Sequence, residues 1–354
     1  MKTGKTIALM KELTEISGIS GNEFLISSRL RSYYSKLADE VVYDNLGSIY
    51  AVKKSFRTQA TRVMVSGHMD EVGFITTDIL SSGMIKALPL GRVALESLLG
   101  AKVKLSVDEE KNYRGVIIAS ENQKALGDDG KVMIDLGLSS KVAVKNLGIR
   151  IGSVLSFDNS FYISEDERVF AQNWDGRYGP IMGVELLQEL KDINLPFDLY
   201  IGCTVQEQVG QRGIQTATNL VAPDLAITLD TKQAYDYQEN VLDKIGMLGK
   251  GMLLTFYDKT ILPNRLLLQK FRSLCESENI PHQDYYSLEE SEAGWVNKLR
   301  TGCPVLLANI PVRNIGTSYM VIDKNDYISS KLGILKFIMQ LSVDQIKSFK
   351  EENR

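Results

Sequence analysis

Histidine is scarce in this chain, with two in 354 residues. His68 closes the apolar run of RVMVSGHMDEVGF, and Asp70 follows two residues later, on the same face of an extended strand. An imidazole beside a carboxylate is how a metal-binding histidine is held by an outer acid. The same spacing also fits a strand-end histidine with an incidental neighbour. His282, in ENIPHQDYY, falls in a loop after a helix and reads as structural.

Three further acids close apolar strands or sit in turns: Asp175 in NWDGRYG, Glu207 in VQEQVG and Asp230 in AITLDT. Strands that each end in one acid gather carboxylates at the carboxyl edge of an open α/β sheet, where such folds bind ligands. With His68 they form a candidate metal site. Each acid by itself reads equally as a solvated turn residue or a helix cap. Gln208, directly after Glu207, puts a neutral amide where a metal hydrolase would place a second carboxylate.

The segments that must carry these residues alternate. Helical stripes at Ile7, Met10 and Leu13, and again from Phe24 to Leu37, precede strands in VVYDNLGSIYAV and RVMVSGHMD. From about Asp78 to Glu167 the texture becomes short β-rich runs, KVKLSV, RGVIIAS, KVMIDL and SVLSF, broken by glycines and without a convincing amphipathic helix. Afterwards the α/β alternation returns, ending in a helix from about Asp326 to Leu341. The expected organisation is a discontinuous domain of residues 1–77 and 168–354 with an all-β domain, residues 78–167, inserted into it.

Bulk composition narrows the function classes. The chain is 44% hydrophobic and 24% charged, with a net charge of −3, so no basic footprint for nucleic acid stands out. No apolar run approaches a membrane span, and the run Ile7 to Met10 is too short for a signal peptide. Cys203, Cys275 and Cys303 are widely separated and read as reduced core thiols, which suggests a cytoplasmic protein.

Taken in order, SGISGNE, DNLGSIYAVKK, GHMDEVGF, WDGRYG, VQEQVGQRG, APDLAITLD, GKG, ENIPHQ and IPVRNIGTS resemble the tetrahedral, co-catalytic metal aminopeptidases, the family that includes glutamyl aminopeptidase and relatives described as endoglucanases. The resemblance runs over nearly the whole chain. It implies a three-layer α/β/α peptidase domain with an inserted β dimerisation domain, and dimers that assemble into hollow tetrahedral dodecamers. It implies peptide substrates cut at the N-terminus, and a soluble homo-oligomer, alone or mixed with an active paralogue.

The family's two divalent ions share a bridging aspartate, which Asp175 matches. His68 and Asp230 match the other ligands of one ion, Asp70 the acid that orients His68, and Glu207 the general base. The other ion is held in the family by a carboxylate directly after the base and by a histidine in a pattern like R-Y-I-H-S. Here those positions are Gln208 and Gly316. The resemblance therefore implies one zinc, cobalt or manganese ion per chain rather than two, and a weakened or retuned aminopeptidase. The competing expectation is a non-catalytic assembly or regulatory subunit. Gln208→Glu together with Gly316→His is expected to restore the second ion. The family's G-G-T-D-A-G loop is also altered, to Glu289-Glu290-Ser291-Glu292-Ala293-Gly294.

Overall fold

The apolar runs fold into a mixed eight-stranded sheet in a computed structural model that describes residues 3–57, 60–107, 111–119, 124–237 and 245–352. In spatial order the strands are Glu40–Tyr43, Ile49–Lys53, Asp198–Thr204, Arg62–His68, Leu225–Gln233, Val305–Val312, Met252–Tyr257 and His282–Tyr286. The four from Asp198–Thr204 to Val305–Val312 run parallel. Parallel strands need cover on both faces, and the sequence supplies it by alternation. Val63 and Val65 belong to one apolar core, and Met64 between them belongs to the other. The first core is closed by the helices Thr3–Glu15, Phe24–Leu37, Tyr178–Leu190, Arg265–Ser277 and Lys324–Gln340, the second by Arg212–Val221 and Ala293–Lys298.

The β-rich segment closes on itself. Strands Gly73–Ile79, Ile85–Leu90, Val132–Asp135, Asn112–Ile118, Lys102–Ser106 and Val154–Phe157 form a barrel around a separate core, in which Phe74 and Phe157 meet edge to face at 5.5 Å. Its limits differ from the expected 78–167. The first barrel strand starts at Gly73, with four residues, Met69–Val72, between it and the end of the sheet strand at His68. Beyond Phe157, Tyr162–Ile163 pairs with Arg168–Ala171, which pairs with Met320–Asp323 near the C-terminus. Among the described residues the region also holds a 3-10 turn, Leu95–Ser97, and a short α-helix, Lys141–Asn146, capped by the Ser140 side chain.

Elements that went unread in the sequence include Ile85–Leu90, Arg168–Ala171, Arg212–Val221, Met252–Tyr257, Ala293–Lys298, Met320–Asp323 and the terminal helix Val343–Glu351. His282 begins the edge strand His282–Tyr286, and its Nδ1 lies 2.9 Å from the Ile280 carbonyl oxygen.

Candidate metal centre

Three neighbouring parallel strands end at one place. His68 is the last residue of its strand and stands in register with Thr204, three residues before Glu207. Asp230 lies in the strand Leu225–Gln233 on the other side, and Asp175 leads into the helix Tyr178–Leu190. A glycine permits that approach: Gly176 has φ +91°, and a Cβ there would lie 2.1 Å from the Asp70 carbonyl oxygen.

The ligand atoms converge. His68 Nε2 is 3.4 Å from Asp175 Oδ1 and 3.9 Å from Asp230 Oδ1, and one ligand atom from each residue lies within 4.8 Å of the others. Two ligands bonded at ~2.0–2.1 Å to a tetrahedral ion stand about 3.3 Å apart, so the set fits one divalent ion with little adjustment. Among the described residues this is the only cluster of its kind. Its charge also suits a cation. Burial opposes protonation of His68, yet Glu207, Asp175 and Asp70 outweigh it and push the imidazole well above its ordinary range. The same acidic surroundings favour a bound cation, for which His68 must give up that proton.

Asp70 faces His68 with both its backbone and its carboxylate. His68 Nδ1 is 3.0 Å from the backbone carbonyl oxygen of Asp70 and 3.7 Å from its carboxylate. The carboxylate also accepts the Ser20 hydroxyl at 2.6 Å and the backbone N–H groups of Glu207 and Gln208 at 2.9 and 3.0 Å. It fixes the loop that carries Glu207. Glu23 shares that task, accepting from the N–H groups of Gly21 and Gln206 at 2.9 and 3.0 Å. Gln206 needs the anchor, because it sits at φ +56°, a left-handed conformation unusual for its type. Burial raises the Glu23 carboxyl to about 7. Glu23 lies in SGISGNE, so that motif was the available signal for it.

Glu207 lines a cavity of about 260 Å³ with Asp175, Gln208, Asp230 and Lys232. Burial is the main force lifting its carboxyl above the carboxylate range; Asp175, Asp70 and Asp230 add to it, and His68 opposes.

At the second-ion positions the contacts are specific. Gln208 donates its amide to Asp175 Oδ2 at 2.9 Å, and Thr231 donates its hydroxyl to Asp175 Oδ1 at 3.0 Å. Gly316 has φ +79°, a Cβ there would lie 2.3 Å from the Arg92 carbonyl oxygen, and Ala94 N–H donates to Gly316 O at 2.9 Å. A segment from the barrel rim therefore fills the space beside Gly316, and the expected rescue by Gly316→His meets backbone rather than an open position. The acids of the altered loop have partners of their own: Glu290 pairs with Lys259 at 3.0 Å, Glu289 with Arg92 at 3.7 Å, and Glu292 with the Thr204 hydroxyl at 2.6 Å.

The sequence profile of M42 glutamyl aminopeptidases matches residues 47–332. The chain belongs to the M42 family. Glutamyl aminopeptidase of Lactococcus lactis subsp. cremoris (strain MG1363) is 28% identical over 358 residues, covering 96% of this chain and 98% of that one. The TET aminopeptidase from Thaumarchaeota archaeon SCGC AB-539-E09 superposes with a TM-score of 0.90 at 28% identity, covering 99% of this chain and 100% of the other. PhTET1-12s, a dodecamer in its asymmetric unit, shares the fold with a TM-score of 0.84 at 23% identity, covering 96% and 100%. As an M42 protein the chain is an aminopeptidase, a peptide hydrolase of the metallopeptidase class. No described helix is long and apolar enough to cross a membrane.

Proposed function

We propose that this M42 chain removes N-terminal residues from peptides with one divalent ion, held by His68, Asp175 and Asp230. The observation that carries the reading is the Gln208 amide on Asp175 Oδ2 at 2.9 Å. It ties up the oxygen a bridging aspartate would turn to a second ion, and an amide N–H donor repels a cation. A zinc, cobalt or manganese ion bound there supplies a Lewis acid and lowers the pKa of a bound water.

The protein groups do the rest. Glu207, with its raised proton affinity, takes the proton of the attacking water and returns it to the leaving amine. Asp70 and Glu23 hold Glu207 in place through the backbone of its loop. Asp230 and Asp175 fix the ligand geometry, and Thr231 sets the rotamer of Asp175. A missing second ion removes one source of transition-state charge stabilisation, so turnover is expected to be lower than in a two-ion site.

The complete ligand triad and Glu207 favour catalysis over a role confined to assembly. Elemental analysis of the reconstituted chain, paired with a screen of aminoacyl chromogenic substrates, tests both halves. One ion with turnover supports the proposal. Two tightly held ions overturn the single-ion reading, and one ion without turnover on any substrate overturns catalysis and favours the assembly subunit.

For assembly, we read the barrel as the dimerisation domain of a homo-oligomer, built toward a tetrahedral dodecamer. The likeness to the TET aminopeptidase and to the dodecameric PhTET1-12s supports this.

A further inference from the structure

Arg177 stands at the head of the helix Tyr178–Leu190 and is fully buried. A guanidinium carries five N–H donors and no acceptor, and here all five are used. Nε donates to the Leu13 carbonyl oxygen at 3.0 Å. One terminal nitrogen donates to the carbonyl oxygens of Met69 and, at 3.1 Å, of Gly176. The other donates to the Ile16 carbonyl oxygen at 2.9 Å and to Glu71 Oε1 at 3.1 Å. Glu71 is buried as well, and it reaches further: Oε1 accepts the Gly18 N–H and Oε2 accepts the Asn173 amide, each at 2.6 Å.

Resting on His68, Asp175 and Asp230 as the ligands, we propose that Arg177, braced by Glu71, is a positioning residue that sets the separation of His68 from Asp175. The hydrogen bonds bracket both ligands. Met69 directly follows His68, Gly176 directly follows Asp175, and a single guanidinium nitrogen takes both of their carbonyl oxygens. On the other flank, Glu71 takes the side chain of Asn173, two residues before Asp175. The donors spent on Leu13 and Ile16 tie this knot to the C-terminal end of the helix Thr3–Glu15, where carbonyls lack partners within the helix. Arg177 acts through the backbone on either side of the ligands, since its own donors are all spent. Metal ligands must be held within ~0.5 Å of their productive geometry. A planar fork with five fixed donors can do that, whereas lysine offers three donors on one mobile atom.

The test uses the full chain, stripped by chelation, titrated with zinc by calorimetry and separately loaded with cobalt, whose absorption bands report ligand geometry. Arg177→Lys is expected to weaken zinc binding by about 10- to 100-fold, the usual cost of losing an outer partner of a metal site, and to shift the cobalt bands. Phe271→Leu, in the same apolar core but on the helix Arg265–Ser277, controls for lost stability alone. At a temperature where both variants are folded it should leave both readouts unchanged. Zinc affinity within twofold of the unmodified chain, or unshifted cobalt bands, in Arg177→Lys overturns the inference. So does an equal loss of affinity in Phe271→Leu, which would make the effect one of general stability. Should Arg177→Lys not fold, Glu71→Gln takes its place under the same criteria, since its amide keeps one acceptor oxygen and loses the other. An unmodified chain that binds neither zinc nor cobalt would overturn the ligand assignment itself, an outcome distinct from a variant that binds as the unmodified chain does.

Discussion

On the proposed mechanism, Glu207 and its neighbours divide two tasks that a single carboxylate cannot perform together. A ligand must be a ready anion, whereas a base must hold a proton between steps. His68 pulls Asp175 below the ordinary carboxylate range, and burial lifts Glu207 above it. Glu207→Gln is therefore expected to keep its zinc, by elemental analysis, while kcat falls by about 10²- to 10⁴-fold, the usual contribution of a general base. Loss of the ion in that variant would mean that Glu207 is a ligand. Asp70→Ala is expected to lower kcat as well, by loosening the base loop, with the N–H groups of Glu207 and Gln208 exchanging faster with solvent deuterium. Unchanged exchange there would refute that role.

The site residues were legible to different degrees. His68, Asp175, Glu207 and Asp230 were each a weak signal alone; the ordered motifs of the resemblance singled them out together, and the fold brings His68, Asp175 and Asp230 within 4.8 Å. Asp70 was found beside His68, but its bonds to the backbone of Glu207 and Gln208 were not legible, because spacing shows a shared face and cannot show which loop a carboxylate reaches. Arg177 was visible as a residue and silent as a participant, since only the fold brings its guanidinium to Met69 and Glu71.

At the scale of elements, the Gly316 turn and the barrel segment resting on it act as one unit. Gly316→Ala is expected to destabilise the chain by about 1–3 kcal/mol, since the left-handed backbone and the nearby Arg92 carbonyl both oppose a Cβ. Chemical denaturation measures it, and an unchanged midpoint would show that the rim segment gives way freely.

The helix Lys324–Gln340 supplies a pH test. Asp326 in its first turn accepts the N–H groups of Gly249 and Gly251 at 2.8 and 2.6 Å, yet burial still raises its carboxyl from 3.8 to about 7. The folded chain then binds this proton more tightly than the unfolded chain. Its contribution is full below about pH 4 and disappears as pH rises through about 7. Asp326→Asn should flatten the dependence of Tm on pH across that window relative to the unmodified chain. Parallel curves would contradict the shift.

Long strands with apolar runs were readable, because both faces of a parallel sheet must be apolar. The helix Arg212–Val221 was hidden, since it opens from Gln211 at φ +52° without a side-chain cap. Val343–Glu351 carried a readable signal that went unused, the capping box of Ser342 and Gln345.

For the whole molecule, light scattering at micromolar concentration is expected to give a particle far above the 39.5 kDa of one chain. A stable monomer would contradict the assembly. Deleting the barrel would be a poor way to ask the same question, because its rim also packs against the site.

The chain leaves the eight-stranded sheet just after His68, builds the whole barrel, and rejoins the first apolar core at Val169 and Ala171, just before Asp175. An ion bonded to both residues buckles that excursion into a ring. Ring closure grows costlier with the length enclosed, though only logarithmically, so one bonded ion organises a long detour of chain at modest cost. Its binding energy is then shared with folding. Stripping the ion should accordingly loosen the seam where sheet and barrel meet, while each body keeps its own apolar core. A metal held by His68 and Asp175 would be a clasp as well as a reagent, and hydrogen exchange along Met69–Val72 should quicken on chelation before the barrel strands respond.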